Sequence, residues 1–202
     1  MNATRRTPSA SRRLISIGLC WASYFFLLTG VLAASYAGYV LLDAQVYQAI
    51  ELRKFKLHVP LAEPHLRTIG EAVGQIEIPS VGIRAIVLHG DSPGILRRGV
   101  GHLPETPMPG EWGNVALAGH RDTFFRPLHQ IRTGDVITLE TSSGSYRYRV
   151  ESTEVVPPTN TEVLRPSNRR ELTLITCFPF DYVGPAPKRF IVRAIEVGAS
   201  PE

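Results

Sequence analysis

The sequence predicts an all-β protein: a closed barrel with short helices, preceded by one N-terminal transmembrane helix. Three observations predict it. An uncharged run over residues 14–42 follows a short arginine-rich start. From about Gly70 onward, short β-like stretches alternate with Gly, Pro, Asn and Asp, the punctuation of a many-stranded fold. Helical periodicity is confined to brief stretches, and no internal repeat interrupts the pattern. A closed barrel is favoured over a sandwich because closure leaves no unpaired strand edge.

The N-terminal segment comes first. The uncharged run is about 29 residues long and makes a helix of about 43 Å at 1.5 Å per residue, more than a hydrocarbon core requires. Arg5, Arg6, Arg12 and Arg13 are the only charged side chains before Asp43. That asymmetry places the N-terminus in the cytoplasm and the rest of the chain outside. Ser35-Tyr36-Ala37 offers small residues at the spacing of a cleaved signal peptide, but the run is about twice as long as secretory apolar regions. Ser11-Arg12-Arg13-Leu14 resembles a twin-arginine address; paired arginines before a membrane helix also serve as plain topology signals. The expected organisation is a basic cytoplasmic tail over 1–13, an anchor over 14–42, a stalk or linker over 43–69 and a β domain over 70–202.

Charge excludes one class of function. The net charge is +4, with 22 Lys+Arg against 18 Asp+Glu. Setting the four N-terminal arginines aside leaves 18 against 18, so the external part is formally neutral. It has no electrostatic footprint for DNA or RNA, and no nucleic-acid partner is expected. Hydrophobic residues make up 44% and charged residues 20%, which excludes a disordered chain.

The β domain follows. Pro60 and Pro64 end any helix that continues from the anchor. Candidate strands cover 74–78, 83–88, 115–118, 135–140, 146–156, 171–176 and 189–197, with short helices near 95–98 and 125–131. Tyr146-Arg147-Tyr148-Arg149-Val150-Glu151 alternates at period two, so one face is expected to be buried and the other wet. Ser142-Ser143-Gly144-Ser145 before it is a hairpin turn, and Ile131-Arg132-Thr133-Gly134-Asp135 is another.

Three residues in this domain can carry chemistry. The chain has two cysteines, Cys20 in the apolar run and Cys177 at the end of Leu172-Thr173-Leu174-Ile175-Thr176. Their separation gives no disulfide framework and no zinc-ligand spacing. Cys177 is either a small buried hydrophobe or a nucleophile held at a strand end. His120, in Gly119-His120-Arg121-Asp122 just past an apolar strand, is either an inert loop histidine or a general acid and base. Arg189, in Pro187-Lys188-Arg189-Phe190-Ile191-Val192, is either a surface arginine or a forked donor to a carbonyl or a developing oxyanion. No metal or other cofactor is expected.

Together the three segments resemble the sortase family, and class D sortases most. Leu172–Cys177 is similar to the T-L-x-T-C signature, Gly119–Asp122 to the histidine motif, and 186–192 to the strand that supplies the arginine. The order His, Cys, Arg agrees, as do Pro109-Gly110-Glu111-x-Gly113-Asn114 and Gly134-Asp135-x-Ile137. The resemblance spans residues 74–197. It implies an eight-stranded barrel and cysteine transpeptidation of a C-terminal Leu-Pro-x-Thr-Gly-like sorting signal. Cys177 is then expected to attack the threonine carbonyl, His120 to move protons, and Arg189 to hold the peptide and stabilise the oxyanion. Thr176 and Tyr182 are substrate-contact candidates, with a plain strand residue and a barrel cap as their bland readings. Asp122 either orients His120 or is an exposed turn residue. The implied partners are proteins bearing the signal and an amine acceptor, either a peptidoglycan cross-bridge or a pilin lysine.

Two alternatives share or discard this chemistry. A cysteine hydrolase would use the same residues and release the acyl group to water. A silent, membrane-tethered peptide-binding module would need none of them. L,D-transpeptidases place histidine almost directly before cysteine, and Ile175-Thr176-Cys177 lacks that pattern. Leu103-Pro104-Glu105-Thr106 reads like a sorting motif inside the enzyme itself, but it is followed by Pro107 rather than by Gly and lies in an expected loop. Neighbouring His102 is expected to be structural.

Overall fold

The computed structural model describes residues 21–39, 46, 48–50 and 68–200. The expected cytoplasmic tail, Cys20, and most of the stalk lie outside the described residues. The chain divides into two compact units, residues 1–43 and 44–202.

In the first unit, helix α1 (Trp21–Tyr39) is 19 residues long and apolar enough to cross a membrane. It exposes the consecutive Phe25, Phe26, Leu27 and Leu28, which together go around its circumference. A helix apolar on every side needs lipid or another protein around it.

The second unit is a closed barrel of eight strands: β1 (Ala72–Ile78), β2 (Ile83–His89), β3 (Val100–His102), β4 (Gly113–Ala118), β5 (Val136–Thr141), β6 (Gly144–Val156), β7 (Arg170–Phe178) and β8 (Lys188–Ser200). Their order around the barrel is β1-β2-β3-β4-β7-β8-β6-β5, and β1 pairs with β5 to close it. Pairing is antiparallel except at β2–β3 and β4–β7. A six-residue helix α2 (Pro93–Arg98) connects β2 to β3, and short 3-10 turns lie at Pro79–Val81, Arg126–Gln130 and Glu162–Leu164. The expected helix over 125–131 is thus a 3-10 turn.

Alternation builds the core. On β6, Tyr148 and Val150 point inward while Arg147, Arg149 and Glu151 point out. Val115 and Leu117 of β4, Leu172 and Leu174 of β7, and Val192 and Ala194 of β8 join them, with Phe125 and Leu128 filling one end. Burial of this many branched and aromatic side chains, at about 25 cal/mol per Å2 of apolar surface, is the main stabilising term. The β5–β6 hairpin turns at Ser142-Ser143, where Gly144 has φ +142°.

The strand the sequence does not announce is β3. It has only three residues, with a glycine at its centre, and pairs parallel to β2 on one side and antiparallel to β4 on the other. Within the same unit, Gln48 uses its side-chain amide like a missing strand residue at this edge. Its Oε1 accepts from Ile86 N–H at 2.9 Å, and its Nε2 donates to the Arg98 carbonyl.

Candidate active site

Strand register brings the candidate residues to one rim. β4 and β7 run parallel with Ala118 opposite Ile175. Continuing each chain by two residues sets His120 level with Cys177. The pairing extends past β4 through Gly119 N–H to Ile175 O at 3.1 Å. β7 and β8 run antiparallel with Cys177 opposite Arg189, and directly opposed residues in such a pair hold their side chains on one face.

That face is the outside of the barrel. Since Leu172, Leu174, Val192 and Ala194 point into the core, period two sends Thr173, Ile175 and Cys177, with Arg189 and Ile191, to the outer face. The β6–β7 connection covers this face: Val163 of its 3-10 turn packs on Val156 and Ile191, beside Leu164 and Ile175. Between the cover and the α2 side lies a groove of about 440 Å3. Cys177, His120 and Arg189 all line it, with Leu96 and Leu103 on one side and Pro158, Asn160 and Leu164 on the other. Its walls are largely aliphatic and its few polar groups converge, as in a site for a short extended peptide.

Cys177 is free and half-buried. The Arg189 guanidinium donates from Nη1 to Lys188 O at 3.0 Å and to Ala186 O at 3.3 Å. Among the described residues no hydrogen bond joins Cys177, His120 and Arg189 to one another. Such bonds commonly tighten only around bound substrate.

Buried polar side chains hold the loops that carry the site. Thr176 alternates to the face opposite Cys177, is 2% exposed, and donates its hydroxyl to Gly119 O at 2.7 Å. It borders the groove, but its one donor is spent on the His120 turn. Asn114 is 1% exposed; its Nδ2 donates to Val163 O at 2.9 Å and its Oδ1 accepts from Thr173 Oγ1 at 2.7 Å. It thereby fixes the covering turn to the barrel wall. Sequence reasoning assigned Asn114 no role, although an amide inside an apolar strand was the available signal. Tyr182 is exposed, is not among the residues lining the groove, and places its ring 5.8 Å from the Arg121 guanidinium carbon. Asp122 is exposed and ion-pairs with Arg121 at 3.5 Å.

The internal Leu-Pro-Glu-Thr segment is a closed turn. Thr106 N–H donates to Leu103 O at 3.0 Å, Thr106 Oγ1 donates to the same oxygen at 2.8 Å, and Ala116 N–H donates to Thr106 Oγ1 at 3.1 Å. His102 is fully buried, with Nε2 2.9 Å from Pro107 O and Nδ1 3.2 Å from His89 Nδ1.

A closed barrel that offers a cysteine and an arginine from paired strands, and a histidine from the turn after a third, to one peptide-sized groove has the layout of a cysteine transpeptidase. The chain belongs to the sortase family: the Sortase domain model matches residues 76–197. Sortase D of Bacillus subtilis (strain 168) is 31% identical over 185 residues, covering 83% of this chain and 93% of that one. Sortase A of Bacillus anthracis is 29% identical over 199 residues, covering 88% and 93%. Among solved structures, a Clostridium perfringens Sortase D5 transpeptidase superposes with a TM-score of 0.68 at 26% identity, covering 76% of this chain and 99% of that one. The protein is therefore a sortase-type cysteine transpeptidase; enzymes of this family act on proteins bearing sorting signals and on amine acceptors.

Proposed function

We propose that Cys177, His120 and Arg189 carry out this transfer on a Leu-Pro-x-Thr-Gly-like signal held in the outer groove. The observation that supports it is the shared rim: β7, β8 and the turn that follows β4 deliver the three side chains to one groove. The Cys177 thiolate adds to the threonine carbonyl carbon, and the oxyanion that forms takes hydrogen bonds from Arg189, released from its main-chain acceptors. As the C–N bond breaks, His120 gives a proton to the departing amine, leaving a thioester on Cys177. The acceptor amine then attacks the thioester, passes a proton to His120, and expels the thiolate as a new amide forms. No oxidant or metal enters this balance.

The N-terminal segment supports a place for the reaction. Helix α1 suits a single membrane anchor, and the arginines before it argue for a cytoplasmic N-terminus with the 70–202 domain outside. The acceptor is then an envelope amine, a peptidoglycan cross-bridge or a pilin lysine.

The test uses the full chain in detergent micelles with a Leu-Pro-x-Thr-Gly peptide library and two amines, a diaminopimelate-type cross-bridge mimic and a lysine peptide. Cleavage after Thr with one amine incorporated, and loss of both in Cys177→Ala, is the expected result. Release of free acid with both amines ignored would move the reading to a hydrolase. Cleavage that survives Cys177→Ala would remove Cys177 from the mechanism.

A further inference from the structure

Arg121 directly follows His120 and is only 6% exposed. Burying a guanidinium is costly unless its donors are met. Its acceptors belong almost entirely to one segment, the connection over residues 179–187 between β7 and β8. Nη1 donates to Pro179 O at 2.9 Å; Nη2 donates to Tyr182 O at 2.6 Å and to Gly184 O at 3.0 Å. Its Nε has no hydrogen-bond partner and meets Asp122 only as an ion pair, 3.5 Å from Oδ1. The connection has no ladder of its own, and although residues 181–185 are exposed, three of its carbonyls accept from the buried guanidinium. A planar fork can reach three carbonyls spread along the loop; an ammonium presents its donors from a single point.

What this loop joins gives the contact its consequence. It leaves β7 immediately after the strand end bearing Cys177 and enters β8 at Lys188-Arg189. One side chain thus spans the turn carrying His120 and the loop whose ends carry Cys177 and Arg189. We propose that Arg121 is the positioning residue of the site: it fixes the 179–187 loop against the His120 turn and so sets the entry of Arg189 into β8 opposite Cys177. The inference rests on the three-residue reading above. Arg121 itself does not line the groove, so its effect reaches the reaction only through the residues it holds.

The test compares the full chain in detergent with Arg121→Ala and Arg121→Lys, and with Arg84→Ala as a surface-arginine control. Amide hydrogen exchange is followed at the strand ends the loop joins, residues 176–178 and 188–191, alongside kcat and KM for peptide transfer. In Arg121→Ala, exchange is expected to rise tenfold or more at these strand ends while β4 and residues 170–175 of β7 keep wild-type protection. The kcat is expected to fall at least tenfold with KM for the peptide within threefold. Guanidinium at tens of millimolar, far below denaturing concentrations, should restore at least threefold of the lost rate, and Arg121→Lys should be intermediate. The proposal is overturned by wild-type exchange at both strand ends in Arg121→Ala, by a kcat within twofold of wild type, or by exchange rising through β4 and the whole of β7 with no guanidinium rescue. If transfer survives Cys177→Ala, the three-residue reading fails by itself, and the exchange experiment still decides whether Arg121 holds the loop.

Discussion

The Thr176 hydroxyl donates to the Gly119 carbonyl at 2.7 Å, tying the residue before the candidate nucleophile to the residue before the candidate base. The two strands are already parallel partners, but their ladder ends at Ala118 and Ile175. The hydroxyl extends the coupling to the level where the chemistry is placed.

Replacing Thr176 by Val keeps the branched shape and removes the donor. The Gly119 carbonyl then loses a buried partner, at a cost of about 1–3 kcal/mol. Denaturant titration should show that loss, and kcat/KM for peptide transfer should fall about tenfold if a misplacement of about 1 Å reaches the reacting groups. Thr176→Ser should recover most of both. Full activity in Thr176→Val would show that the His120 turn does not depend on this bond.

Gly119 is constrained from its other side. A Cβ there would lie 2.6 Å from Cδ2 of Phe125, whose ring is fully buried. Gly119→Ala should destabilise by about 1–3 kcal/mol through overpacking and lower kcat by displacing His120. An alanine variant with unchanged melting temperature and rate would contradict the tight packing over this turn.

Asn114 holds the other wall. Asn114→Leu leaves Val163 O and Thr173 Oγ1 without their partner, a loss of about 2–3 kcal/mol. Because Val163 belongs to the turn covering the groove, KM for the peptide should rise severalfold while kcat changes little. A variant that loses kcat and keeps KM would place Asn114 with the reacting groups instead.

Tyr148 gives the barrel an alkaline limit. Burial, and next the nearby Glu196 carboxylate, push its hydroxyl well above the usual tyrosine value; a backbone hydrogen bond at Gly110 acts the other way. The folded state therefore holds this proton more tightly than the unfolded chain. The associated stability is complete below the unfolded value of about 10 and is lost as pH rises above it, by up to about 1.4 kcal/mol per pH unit. Denaturant titrations on both sides of that value should show the decline in the wild type and a flatter profile in Tyr148→Phe. An equally steep decline in the phenylalanine variant would assign the loss to other groups.

The sequence carried the long strands because alternation is local. Tyr148 and Val150 against Arg147 and Arg149 marks one buried face without reference to any partner strand. Strand β3 carries no such mark: its three residues are a strand only because β2 and β4 flank them. The same distinction divides the site. Cys177, His120 and Arg189 stood out through their motifs and strand-end positions. The residues that hold their loops did not, since Asn114 acts on Val163 and Arg121 on Pro179, Tyr182 and Gly184, all distant in sequence. Thr176 shows how parity alone can be decisive. It neighbours the nucleophile in sequence, yet period two turns it to the opposite face.

The most direct test of the central claim is the intact mass of the full-length protein, quenched in acid during turnover of a Leu-Pro-x-Thr-Gly peptide with no amine added. The expected result is an adduct equal to the acyl fragment ending in Thr, mapped to the peptide containing Cys177, discharged on adding the amine and absent from Cys177→Ala. Turnover with no adduct in a rapid-quench series, or an adduct mapped to any other residue, would contradict it.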